Sequence, residues 1–256
     1  MLKELWQYVS TSTELSVAKE MGFLKESIAM EARAKRCKHN WDDHYQNCQK
    51  AILSASNRSV QKRTVLVFGA GSLHDVPLGI LSAQFEKVLL VDLVFLKSAR
   101  RLANEFTNVE LIEHDVTESL EWMHQGQLLV QSPMAWLDDS TIDLVISLNL
   151  ITQLPLIPVR WLMEHFEVSE AEGDVIGKQL IFAHLHYLQS FNGEVCLIAD
   201  RLGIEFDETA QEIDRFDPWW DIESPKSAIS WEWELVPLGE VSDKKGQRNQ
   251  VGVSFL

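Results

Sequence analysis

The sequence predicts an α/β protein whose mostly parallel sheet is closed by a C-terminal antiparallel hairpin, with an N-terminal helical cap. Three observations predict it. Between Thr64 and about Asp200, apolar runs of strand length alternate with helical segments, the pattern of a parallel sheet wrapped by helices. After Asp200 the alternation gives way to "SWEWELVPLGE" and "NQVGVSFL", joined by the polar "VSDKKGQR", which read as two antiparallel strands. Ahead of Thr64, residues 1–57 carry helical spacing.

Taken in order, Leu2, Leu5, Trp6 and Val9 recur at helical spacing, and Thr11 with Glu14 resembles a capping box opening a second helix. Trp41, Tyr45, Cys48 and Ile52 line one face of a further helix, and "SASNRSVQKR" reads as a polar linker. Strands are expected at "TVLVFG", "KVLLVD", "VELIEHD", "IDLVISLN" and "GEVCLIAD". Helices are expected near Pro77–Phe85, Phe95–Phe106, Pro158–Glu167 and Gly177–Phe191. This divides the chain into a helical cap, 1–57, and a ligand-binding domain, 64–256.

Composition narrows the function classes. A chain of 256 residues can bury one α/β core with an added segment, and nine tryptophans argue against disorder. The net charge of −15 argues against a nucleic-acid partner, because Lys35–Arg36–Cys37–Lys38 and Arg100–Arg101 are too short to track phosphates. Three widely spaced cysteines do not make a disulfide framework, which points to a reducing compartment. "MLKELWQYVSTSTEL" has polar residues throughout its apolar pattern, so neither a signal peptide nor a membrane span is expected. The chain reads as soluble and cytoplasmic.

The stretch "TVLVFGAGSLHDVPLGI" runs from a buried strand through glycines into a helix. Gly69 and Gly71 let the backbone approach a ligand and adopt positive φ. Asp92 ends the second strand, 23 residues beyond Gly69, a spacing that suits a carboxylate accepting from ribose hydroxyls. Asp115 ends the third strand, where a carboxylate can accept from an adenine amine. Three strand ends in a row present these groups on one carboxyl edge, where open α/β sheets bind ligands.

On these residues, Thr64 to Leu256 resembles the class I S-adenosylmethionine-dependent methyltransferases, a Rossmann-like family with a closing hairpin. The resemblance implies that "GAGS" cradles the methionine end of S-adenosyl-L-methionine, that Asp92 holds the ribose and that Asp115 lies by the adenine. It implies cofactor contacts from Gly69, Ala70, Gly71, Asp92, Leu93, Asp115, Val116 and Asn149. "DLVISLNLITQLP" is similar to the fourth-strand motif of members acting on small molecules or proteins, not to the Asn-Pro-Pro-Tyr type of nucleic-acid enzymes. "NGEVCLIAD" is similar to the family's fifth strand. The implied activity is in-line methyl transfer to a small-molecule or protein acceptor. Two positions depart from the pattern: Val67 stands where the family has an acid, and Leu73 where it has a third glycine.

Two other functions stay open. A dinucleotide-dependent oxidoreductase would need the N–H groups and positive end of the first helix for its diphosphate. Asp75, just before Pro77, would occupy those donors and repel the phosphates, whereas a sulfonium faces no such penalty. A catalytically silent relative that only binds is the reading motivated by Val67 and Leu73. The other residues of note have plainer readings beside the functional ones. Asp92 and Asp115 can cap turns, Asp75 can cap a helix, and Asn149 can satisfy backbone at a strand end. Cys37, His39, His44 and Cys48 lack a Cys-x-x-Cys knuckle, so no metal is expected. Trp231 and Trp233 share a strand face and belong to the core, while Trp219 and Trp220 read either as substrate mouth or as packing against the sheet edge or a second copy. His184 and His186 cannot both face a pocket from one helix, and His39 or His44 could reach it from the cap, so no catalytic base is named.

Overall fold

The computed structural model describes residues 2–256, without the side chains of Leu2, Lys3 and Leu5, so the apolar spacing read at Leu2 and Leu5 lies outside the described side chains. Four helices come first: α1 (Leu2–Ser10), α2 (Ser16–Glu20), α3 (Phe23–Arg36) and α4 (Lys38–Arg58). Strands β1 (Thr64–Phe68), β2 (Lys87–Asp92), β3 (Val109–Glu113) and β4 (Ile142–Leu148) then alternate with α5 (Leu78–Gln84), α6 (Lys97–Ala103) and α7 (Leu120–His124). Helices α8 (Leu156–Phe166) and α9 (Glu170–Gln189) lead to β5 (Glu194–Asp207), β6 (Glu212–Phe216), β7 (Ile229–Val236) and β8 (Lys245–Phe255). The sheet order is β3-β2-β1-β4-β5-β8-β7, with β6 on the extension of β5. The first five strands pair in parallel, and β8 runs antiparallel between β5 and β7. This is a Rossmann-like sheet closed by the expected hairpin.

Strand alternation sends side chains to two cores. Val65, Val67, Val88, Leu90, Leu144 and Ile146 join one cluster with Trp41, Cys48 and Ile52 of α4. Leu66, Phe68, Leu89, Val91 and Val145 join the other with Leu180, Ile181 and Leu188 of α9. Burial on both faces is why β1 has no polar side chain from Val65 to Phe68. Helix α4 therefore shares the core of the sheet.

Three local expectations are corrected. Thr11 and Glu14 form no capping box: α2 starts at Ser16 with Leu15 before it and no side-chain cap, and the Glu14 N–H is taken by Glu113 instead. A capping box does form at Ser169 and Glu172, opening α9. Trp6 and Val9 are exposed rather than packed, with the Lys97 ammonium 4.5 Å above the Trp6 ring. The fifth strand does not stop at Asp200; after a bulge there it continues to Asp207, and Phe216 of β6 folds its ring against Gly203. Among the described residues no helix is long and apolar enough to cross a membrane.

Candidate functional site

The ends of β1, β2 and β3, with α3 and α4 alongside, enclose a cavity of about 590 Å³ at the carboxyl edge of the sheet. Gly69, Ala70, Gly71, Asp92, Leu93, Asp115, Val116 and Asn149 all line it, so every residue named from the sequence comes to one place. Gly69 has φ 77°, and a Cβ there would meet the Leu148 carbonyl oxygen at 2.5 Å. The Ala70 N–H is spent on the Val91 carbonyl at 3.2 Å, and the Gly71 N–H donates to Asp92 Oδ2 at 2.8 Å. Leu73 itself adopts φ 62°, and its side chain is buried in the core. Where the related pattern has glycine, leucine thus makes a left-handed step, at about 1–2 kcal/mol of local strain. Val67 is fully buried and has no access to the cavity.

Asp92 and Asp115 differ in how much of each carboxylate remains free. Asp92 accepts from Gly71 N–H through Oδ2 and from Leu93 N–H through Oδ1, both at 2.8 Å. A longer Val94 N–H contact, 3.5 Å, also falls on Oδ1, so the free acceptor capacity lies mainly on Oδ2. Burial pushes this carboxyl up to about 6, against the N–H bonds that hold it down. Asp115 Oδ1 accepts from the N–H and hydroxyl of Thr117, and Oδ2 from the N–H groups of Ser119 and Leu120. Its four acceptor positions are met by protein donors at the start of α7, so the turn-cap reading describes it. Leu93 and Val116 add apolar wall beside these two acids.

Asp75 does not cap the following helix. Helix α5 opens after Pro77 without a side-chain cap, and Asp75 turns into the cavity, where Asn149 Nδ2 meets its Oδ2 at 3.1 Å. Asn149 holds φ 49° at the end of β4 and also lies 3.3 Å from His44 Nε2. His44 comes from α4, is 2% exposed, and stacks on Trp233 with centroids 3.8 Å apart. Its Nδ1 accepts from the Trp231 indole N–H at 3.1 Å, so in the neutral ring Nε2 carries the proton. Burial holds the imidazole pKa down to about 3. His44 is therefore a donor at the cavity and not a base. Burial pushes Asp75 up to about 6, which makes it a proton acceptor near neutral pH. Asn149 Oδ1 has no partner among the described residues, and an amide turned over would accept from a protonated Asp75 and from His44 Nε2–H together.

The ligand atoms of His44, Cys48 and Asp75 lie within 4.8 Å of one another. A cation there would need His44 Nε2 bare, which the Trp231 bond opposes, and burial pushes the Cys48 thiol well up. His39 points to solvent, and Cys37 lies outside this group. His184 is buried on the other face, 3.1 Å from Ser147 Oγ. Of the tryptophan pair, Trp219 is core and Trp220 lines the cavity. Sequence reasoning missed Asp200, Trp233 and Asn249, which also line it. Asp200 closes the parallel part of β5, so the strand-end rule that picked Asp92 and Asp115 would have found it.

No protein-family model matches the chain, and neither does any curated protein. Among solved structures, an N-methyltransferase, NodS from Bradyrhizobium japonicum WM9, bound to S-adenosyl-L-homocysteine, is 8% identical at a TM-score of 0.37, over 83% of this chain and 87% of that one. A complex of DhpI with SAM and HEP is 11% identical at 0.40, over 93% and 99%. A glycopeptide N-methyltransferase, MtfA, complexed with S-adenosyl-L-methionine, is 13% identical at 0.36, over 79% and 75%. At TM-scores below 0.5 these likenesses bear on neither ligand nor reaction.

Proposed function

We propose that this chain binds S-adenosyl-L-methionine and transfers its methyl group to a small-molecule or protein acceptor. The observation that carries the reading is the joint placement of the Gly69–Gly71 turn and Asp92 on one cavity wall, in a sheet ordered β3-β2-β1-β4-β5-β8-β7. Bound there, the cofactor supplies a methyl carbon already activated by a sulfonium, so the protein has to align the nucleophile and exclude water. Asp92 would accept from ribose hydroxyls with its free lone pairs while its bond to Gly71 presets the turn. Asp115 would act indirectly, by holding the loop that places Val116 against the base.

Electrostatics disfavours a dinucleotide in the same space. The cavity is lined by seven carboxylates and two guanidiniums, and those two already face Glu240 and Glu26 at 3.5 and 3.9 Å. A diphosphate would meet repulsion, and a sulfonium attraction. The silent-relative reading keeps both of its motives, Val67 and Leu73, the latter making a left-handed step with φ 62°. The test is turnover: S-adenosyl-L-methionine with a labelled methyl group, incubated with the protein and cell extract, should give S-adenosylhomocysteine above a protein-free control. S-adenosylhomocysteine that binds but is never formed would support the silent relative.

A further inference from the structure

Resting on the reading of the cavity as a methyl-donor site, we propose that the acceptor is an amine, taken as its ammonium between Asp200 and Asp75 and methylated on nitrogen. A cofactor over β1, β2 and β3 leaves free the part of the cavity over β4, β5, β7 and β8. Asp200 on β5 lies in that part; the Asn249 side chain bonds its carboxylate, and Oδ1 is left buried with no hydrogen-bond partner among the described residues. A buried carboxylate oxygen left open costs free energy unless a ligand donates to it. The adjacent cation, Arg201, lies 4.9 Å above the Trp219 ring and binds Ser254 Oγ at 2.9 Å, so it does not close Asp200 Oδ1. Asp75 is the second carboxylate, held by its own backbone N–H and by the Asn149 amide, which leaves it acceptor capacity.

The apolar walls suit a cation as well. Trp41 and Trp233 meet edge to face at 5.3 Å, and Tyr45 lies 6.1 Å from Trp41. Their rings favour an ammonium beside them. A hydroxyl acceptor is the rival, since it could use the open Trp233 indole N–H as well as Asp200. Proton chemistry separates the two. His44 is fixed as a donor, and His114, the other histidine lining the cavity, follows β3 on the cofactor's side; over β4 and β5 carboxylates are therefore the proton acceptors, and an ammonium gives up its proton to a carboxylate far more readily than an alcohol does.

The bound ammonium gives one N–H proton to the Asp75 carboxylate, and the freed nitrogen lone pair attacks the methyl carbon. The carbon–sulfur bond breaks with its electron pair returning to sulfur, leaving a neutral thioether and an N-methylammonium. Asp75 then returns its proton to solvent.

The test is calorimetry on the whole chain saturated with S-adenosylhomocysteine, comparing phenethylamine with 2-phenylethanol and benzylamine with benzyl alcohol at pH 7.5. Each amine should bind at least tenfold more tightly than its alcohol. Asp200→Asn and Asp75→Asn should each erase that preference while keeping S-adenosylhomocysteine affinity within threefold. Equal binding of amines and alcohols, or no binding of either, overturns the proposal and leaves the methyl-donor reading standing. A fall in S-adenosylhomocysteine affinity with Asp75→Asn assigns that carboxylate to the cofactor's own ammonium and also overturns it. If S-adenosylhomocysteine fails to bind the unmodified chain, the methyl-donor reading falls and this proposal falls with it.

Discussion

Asp75→Asn is expected to stabilise the protein at neutral pH and to leave its stability unchanged in acid. Burial raises the Asp75 carboxyl from 3.8 to about 6, so the folded protein holds that proton more tightly than the unfolded chain does. Between those two values the unfolded carboxyl ionises first, and stability falls with each step of rising pH. Above about 6 the loss is complete; below 3.8 it is absent. Taken whole, the shift corresponds to roughly 3 kcal/mol. Because the carboxyl lines a cavity open to solvent, about half of that, 1–2 kcal/mol, is the expected gain. The amide has the same shape, no charge to desolvate, and an oxygen for the Asn149 N–H. For a chain of this length the gain is roughly 3–6 °C in midpoint. Thermal unfolding of both proteins at pH 7.5 and pH 4.0 measures it. No gain at pH 7.5, or an equal gain at both, would refute the reasoning. A stabilising change that costs function is the signature of an acid kept for ligand rather than for fold.

Asp92→Ala should weaken S-adenosylhomocysteine binding by about 2–4 kcal/mol, or roughly thirty- to a thousand-fold, and lower the unfolding midpoint, since it also frees the Gly71 and Leu93 N–H groups. Asp92→Asn should recover little, because an amide facing one N–H with its oxygen sets its own NH₂ against the other; binding within threefold of the original in either variant would remove the ribose assignment. Affinity for S-adenosylmethionine should rise as pH climbs through about 6, because a bound sulfonium favours ionised Asp75, Asp92 and Asp200, each held up to about 6 by burial. The neutral sulfur of S-adenosylhomocysteine should show less of that rise, and calorimetry at pH 5, 6 and 7.5 compares them. Trp41→Ala should cost about 3–5 kcal/mol in urea unfolding, since this α4 side chain is 1% exposed in the core of the sheet; a loss under 1 kcal/mol would mean that α4 is a detachable cap.

What the sequence made legible follows from burial. Strands β1, β2 and β4 read clearly because each is covered on both faces and carries a run of three or more apolar residues, Leu144–Ile146 in β4. The extension of β5 and the whole of β6 did not, because "EIDRF" is exposed along its length and carries no apolar alternation. The glycine turn and the acids after β2 and β3 were legible from chain position. Their division of labour was not, since it depends on the loop before α7 folding back to fill all four acceptor positions of Asp115 while Asp92 Oδ2 takes one N–H. The cluster of His44, Asp75 and Asn149 was hidden for another reason. Asn149 is 105 residues from His44, and their meeting depends on α4 crossing the sheet edge under the tryptophans of β7. The left-handed φ of 62° at Leu73 was not legible either, because a buried leucine rarely adopts it.

The central claim is that the cavity holds a methyl donor and not a dinucleotide, and one titration tests it most directly. The purified chain is titrated in the calorimeter with S-adenosylhomocysteine and, separately, with NAD at the same pH and salt. S-adenosylhomocysteine should saturate a single site per chain, displaceable by S-adenosylmethionine, while NAD gives no saturable heat. NAD binding as tight as or tighter than S-adenosylhomocysteine would contradict the account.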